Sequence, residues 1–152
     1  MAKKNKNRIN SIRNRRASYD YQLDQRFTAG IVLTGAEVKS IRDGKASISE
    51  AYCLIIKDEL FIRGMHIAEF KNAGYVEQEP GRDRKLLLNR NEIEKLKVKM
   101  NQQGFTIIPT ELFFAESGFA KLEIALAKGK KTYDKRESLK EKDMKRDMDR
   151  FV

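Results

Sequence analysis

Two periodicities alternate along this chain. Around Tyr21 and Leu23 the large apolar residues stand two apart, and the run Ile31-Val32-Leu33 follows, so this region predicts strands. The period then changes. Thr34 and Glu37 have capping-box spacing, Val38 and Ile41 lie three apart, and Gly44 supplies a stop, which together predict a short helix over residues 34–44. With Val38 and Ile41 turned to the core, Lys39 and Arg42 fall on the flank of that helix and Lys45 lies just past its end. Three cations are thereby brought close together.

Residues 51–56 and 59–65 are rich in β-formers and flank Lys57-Asp58, the pattern of a hairpin. Residues 71–83 contain Gly74, Pro80 and Gly81 among scattered charges and read as a long loop that delivers the chain to Arg82, Arg84 and Lys85. Leu86-Leu87-Leu88 is a short apolar strand. Asn89, three residues before Glu92, is an N-cap signal for a second helix, with Ile93, Leu96 and Met100 as its buried stripe and Gly104 as its end. Residues 105–108 and 111–115 are expected as separate strands divided by Pro109-Thr110. The last strand is expected at 119–127, where Leu122, Ile124 and Leu126 alternate. Many short strands, two compact helices and no βαβ alternation predict an all-β fold, a small closed Greek-key barrel of oligonucleotide-binding (OB) type.

The two ends depart from this pattern. Residues 1–16 carry Lys3, Lys4, Lys6, Arg8, Arg13, Arg15 and Arg16 with no acid, too little apolar surface to order alone. After Lys128 the cations Lys130, Lys131, Lys135 and Arg136 crowd around Gly129, and residues 134–152 are helix-prone, with Met144, Met148 and Phe151 on one stripe. A helix that short is marginal in water without a partner. The expected organisation is a basic arm at 1–18, a barrel at 19–128, and a basic tail at 129–152 that is disordered when free and helical when bound.

Composition sharpens the picture. A chain of 152 residues with 40% hydrophobic residues supports one small core. Its 32 Lys and Arg against 22 Asp and Glu give a net charge of +10, which favours a polyanion, with nucleic acid ahead of an acidic membrane. Cys53 and His66 are the only residues of their kinds, so no disulfide framework and no His/Cys zinc site can form within one chain, as expected in a reducing compartment. No apolar run spans a bilayer and no secretion signal opens the sequence, so a cytoplasmic location is expected. A single histidine at a strand end, no Gly-x-Ser-x-Gly elbow and no Gly-rich phosphate loop argue against an enzyme and against a nucleotide cofactor. No metal, cofactor or small-molecule substrate is expected. Tyr133 sits inside the basic run and suits stacking on RNA, whereas Tyr19, Tyr21 and Phe70 suit either stacking or packing.

Four segments taken together resemble the SsrA-binding protein family (small protein B, SmpB) in order and spacing. They are Ala29-Gly30-Ile31-Val32-Leu33; Gly35-Ala36-Glu37-Val38-Lys39-Ser40-Ile41-Arg42 with Gly44-Lys45; Arg82-Asp83-Arg84-Lys85-Leu86-Leu87-Leu88; and Ala127-Lys128-Gly129-Lys130-Lys131-Thr132-Tyr133-Asp134-Lys135-Arg136. The resemblance runs from about Asn14 to the C-terminus. It implies a six-stranded barrel with partial similarity to the OB fold and two or three short flanking helices. It further implies a bacterial adaptor that binds the tRNA-like domain of transfer-messenger RNA and carries it, with elongation factor Tu, to stalled ribosomes for trans-translation.

By position, the resemblance implies that Asn14, Gly35, Glu37, Lys39, Ser40, Arg42, Lys45, Arg82, Arg84, Lys85 and Leu87 face transfer-messenger RNA. Lys128, Gly129, Lys130, Lys131, Tyr133, Asp134, Lys135 and Arg136 would meet ribosomal RNA at the decoding centre. Met144 and Phe151 would anchor the tail in the mRNA channel. Three positions differ from the family pattern: Thr28 in place of a glutamate, Tyr19 in place of a histidine, and Met144 in place of an aromatic. The competing readings are a general single-stranded RNA binder with an OB-like barrel, and an RNA-modifying enzyme.

Overall fold

The computed structural model describes residues 11–71, 78–102 and 104–129. In chain order the elements are β1 (Ile12–Arg13), α1 (Ala17–Asp20), β2 (Tyr21–Ile31), α2 (Gly35–Arg42), β3 (Ala46–Ser47), β4 (Tyr52–Ile56), β5 (Glu59–Arg63), β6 (His66–Ile67), β7 (Arg84–Leu87), α3 (Arg90–Met100), β8 (Phe105–Phe114) and β9 (Ala120–Gly129). Six strands pair in the order β8-β4-β5-β7-β2-β9, and β9 pairs again with β8, so the sheet closes into a ring of antiparallel neighbours. Closure gives these strands hydrogen-bonding partners on both sides. β1 adds to β8, and β3 pairs with β6 apart from the ring.

Alternation decides what fills the ring. Leu60, Ile62, Leu86, Ile107, Leu112, Leu122 and Ile124 are buried among one another, and Ile41 of α2 and Leu96 of α3 join the same core. A second, small cluster of Ala17, Ile108 and Ala127 lies on the other face, where α1 packs with Tyr21 and Leu23 alongside. The hairpin between β4 and β5 turns on Lys57 and Asp58, both at positive φ, the conformation that matches the twist of the flanking strands. Asp58 also accepts a bond from Lys97 of α3, which ties the turn to the helix.

Several elements differ from those the pattern predicts. The expected break at Pro109-Thr110 does not occur. β8 runs unbroken from Phe105 to Phe114, and its register on β9 shifts between Pro109 and Glu111, so Thr110 is the extra residue of a bulge. A proline lacks the N–H a ladder needs, and a bulge accommodates that loss without ending the strand. Likewise β2 is one strand of 11 residues, with a bulge between Leu23 and Arg26 rather than a gap. β1, α1, β3 and β6 are two to four residues long, below what periodicity detects. His66 lies exposed in β6 opposite Ser47. Asn89 holds the N-cap position of α3, yet its side chain makes no capping bond.

Candidate nucleic-acid interface

The organising feature is a buried carboxylate on α2. Thr34 and Glu37 form the capping box: the Glu37 N–H donates to Thr34 Oγ1 at 3.2 Å, and the Thr34 N–H donates to Glu37 Oε1 at 2.9 Å. The same carboxylate also accepts from Arg82 Nε at 3.1 Å and from Arg84 Nε at 2.7 Å. Arg84 is fully buried, and its remaining donors reach the carbonyls of Met65 at 3.1 Å, Arg82 at 3.0 Å and Pro80 at 3.1 Å. One guanidinium thus joins β7, α2, the turn after β5 and the segment entering β7. Burial pushes the Glu37 carboxyl up, but the bonds from Arg82, Thr34 and Arg84 outweigh it and hold the group below its ordinary value. Burial pulls Arg84 down, partly offset by Glu37, and a guanidinium remains charged at neutral pH.

This fixes which face of α2 points outward. Glu37, Ser40 and Ile41 are buried, with the Ser40 hydroxyl donating to the Ala68 carbonyl at 2.7 Å, while Lys39, Arg42 and Lys45 are exposed. Val38, expected on the core stripe, is only half-buried. The Lys39 ammonium lies 5.4 Å from the centre of the Phe70 ring and the Arg42 guanidinium 5.3 Å from that of Phe114, so aromatic rings steady both cations. Gly35 opens the helix with no atom within 4 Å of where a Cβ would stand. On the neighbouring sheet surface Lys85 pairs with Glu59 at 3.2 Å, and Leu87 is 53% exposed, its side chain lying against the bare backbone of Gly30.

The structure therefore joins α2 to Arg82, Arg84 and β7, and it separates two roles that the sequence had merged. Lys39, Arg42, Lys45 and Leu87 are exposed, and Lys85 and Arg82 partly so, whereas Glu37, Ser40 and Arg84 are buried. Asn14 is placed elsewhere, at the β8 bulge, where its N–H donates to Thr110 and its Nδ2 to Pro109. Tyr21 packs against the small cluster of Ala17, Ile108 and Ala127, and Tyr19 is half-buried beside it in sequence. Lys128 and Gly129 end β9. Lys130, Lys131, Tyr133, Asp134, Lys135, Arg136, Met144 and Phe151, with most of the N-terminal arm, lie outside the described residues.

Sequence reading missed one cluster. Glu111 and Glu123 stand opposite each other on β8 and β9, flanked by Arg13 and Arg26. Only the bulge at Thr110 brings this about, and the sequence signal for it, a proline inside an apolar run, was read as a strand break.

Comparison with known proteins agrees with the resemblance. A family model described as SmpB protein matches residues 11–152. The SsrA-binding protein of Phocaeicola vulgatus is 56% identical over 141 residues, covering 93% of this chain and 94% of its own. That of Allorhizobium ampelinum is 47% identical over 139 residues, covering 91% and 88%. A solved structure described as "tmRNA-SmpB: a journey to the center of the bacterial ribosome" superposes with a TM-score of 0.69 at 37% identity, covering 85% of this chain and 94% of that one.

Proposed function

The chain belongs to the SmpB family, the SsrA-binding proteins, and from that membership we propose that it binds the tRNA-like domain of transfer-messenger RNA and delivers it to stalled ribosomes for trans-translation. The observation that carries this reading is the split face of α2. A buried Glu37–Arg84 pair locks the helix, and Lys39, Arg42 and Lys45 are held outward in a fixed array that suits the phosphates of a folded RNA. Arg82, Lys85 and Leu87 extend that surface, and the open space at Gly35 lets an RNA backbone approach closely. Glu37, Ser40 and Arg84 serve by positioning these groups. Asn14 contributes at a separate patch.

The closed ring of six strands supports a finer reading, a Greek-key barrel partly similar to the OB fold with flanking helices, spanning residues 19–128. Residues 129–152 form the second functional unit: Lys128 to Lys131 and Tyr133 to Arg136 meet ribosomal RNA, and the tail folds in the vacant mRNA channel with Met144 and Phe151 as anchors. Elongation factor Tu accompanies the complex. Binding alone accounts for this work, in the cytoplasm where ribosomes are, without a chemical step or a cofactor. Among the described residues no helix is long and apolar enough to cross a membrane.

The test is to pull down endogenous RNA with the tagged full chain and sequence it. One dominant transfer-messenger species is expected. A broad mixture of unstructured transcripts would instead identify a general single-stranded RNA binder, and covalently altered RNA would identify an enzyme.

A further inference from the structure

Hydrogen bonds stitch the segment after β6 to α2 as far as Ala68, whose N–H donates to the Lys45 carbonyl at 2.9 Å and whose carbonyl accepts from the Ser40 hydroxyl at 2.7 Å. Phe70, two residues further on, is held from another side. The Phe70 N–H donates to Gln78 Oε1 at 2.7 Å, and Gln78 Nε2 donates to the Phe70 carbonyl at 3.1 Å. Among the described residues the Phe70 backbone bonds to no other group. One side-chain amide thus satisfies both backbone groups of one residue, as a neighbouring strand would.

This clasp takes over from a ladder that cannot continue. The Ile67 N–H donates to the Pro80 carbonyl at 3.0 Å, but a proline has no N–H to return. Further along the same two segments, the Gln78 amide supplies a donor and an acceptor together. Its own footing is firm, since the buried Arg84 guanidinium donates to the carbonyls of Glu79 at 3.5 Å and Pro80 at 3.1 Å. The consequence falls on α2. The exposed Lys39 ammonium lies 5.4 Å from the centre of the Phe70 ring, and Lys39 makes no ion pair among the described residues. A lysine is a point charge on a flexible stem, and the face of an aromatic ring attracts it, so where the ring stands decides where the charge is offered.

We propose that Gln78 is a positioning residue for RNA recognition: by clasping the Phe70 backbone it sets the ring that holds Lys39, and so fixes where that cation meets phosphate. The inference rests on the transfer-messenger RNA reading above and deepens it with a residue that acts through two others.

Two readouts test it in the full chain. Without RNA, the ring current of Phe70 is expected to move the Lys39 side-chain proton resonances upfield, a displacement removed by Phe70→Leu and reduced by Gln78→Ala. In titrations with transfer-messenger RNA, Gln78→Ala and Phe70→Leu should each weaken binding about threefold, and neither should weaken Lys39→Gln any further. A merely structural role would lower affinity by the same factor with and without Lys39. Gln78→Met, which keeps the length of the side chain but not its bonds, should behave as Gln78→Ala does and keeps the test decisive if the smaller side chain folds poorly. Lys39 resonances that stay in place in both Gln78 variants, or equal losses of affinity in the two backgrounds, overturn the proposal while leaving the RNA reading intact. Failure of the unaltered chain to bind the RNA overturns that reading and the recognition role with it, and the Lys39 resonances of the free chain report the clasp separately.

Discussion

Arg84, with none of its surface exposed, donates through Nε to Glu37 at 2.7 Å, so a strand of the ring and a surface helix share one buried charge pair. Removing one partner strands the other in a dry site, whereas removing both does not. Glu37→Gln should therefore lower unfolding stability by about 3 kcal/mol. The double change Glu37→Leu with Arg84→Met should cost less than the sum of its single changes. Urea denaturation of Glu37→Gln, the double variant and its two single variants measures this, and simple additivity would show that the pair is not coupled.

The same carboxyl gives stability a pH dependence of known sign. Its folded value lies below its ordinary 4.5, so near that pH the unfolded chain binds more protons and stability rises with pH. The contribution is complete above 4.5 and disappears as the pH falls through the folded value. Urea midpoints compared between about pH 6 and about pH 3 should fall less steeply in Glu37→Gln than in the unaltered chain. Parallel curves would assign the acid sensitivity to other carboxylates.

Lys39 and Arg42 sit outside that pair, on the exposed flank of α2. Changing both to Gln should leave thermal stability nearly unaltered. RNA affinity should fall, and its salt slope should decrease by roughly one per lost phosphate contact. Filter binding at graded salt reads the slope, and an unaltered slope removes these two from the interface.

Two glycines should behave oppositely. Gly64 has φ +82°, and a Cβ there would lie 2.9 Å from the Glu50 carbonyl oxygen, so Gly64→Ala should destabilise by more than about 1 kcal/mol. Gly35 meets nothing within 4 Å and lies in a helix, so Gly35→Ala should be neutral or stabilising by up to about 1 kcal/mol. If Gly35→Ala nevertheless weakens RNA binding at unchanged stability, the space is kept for the partner. Thermal melts beside RNA titrations separate the two effects.

The helix at 34–44, the hairpin around Lys57-Asp58 and the strand from Leu122 to Leu126 were legible because each carries a local signal: a cap, a turn pair, an alternation. Ring closure was legible only as a class, since the pairing of β8 with β9 and of β2 with β9 depends on contacts far apart in sequence. The internal bonding of Glu37, Ser40 and Arg84 was not legible, for a physical reason. Charged and hydroxyl residues read as surface, and only the three-dimensional pairing of Arg84 with Glu37 reveals that their charge is spent internally. Lys39, Arg42 and Lys45 have no such partner among the described residues and are exposed. The cluster at Glu111 and Glu123 was invisible because it is built by two bulges, each one residue out of register.

β9 lies between two antiparallel partners, paired with β2 from Tyr21↔Gly129 to Gly30↔Lys121 and with β8 from Phe105↔Lys128 to Phe114↔Ala120. The C-terminal segment leaves from Gly129, at the end of that strand. A pull along the strand axis at this point loads both ladders in shear, with their rungs strained together, instead of unzipping them one at a time. Tension on the C-terminal segment would thus be borne by β2 and β8 together.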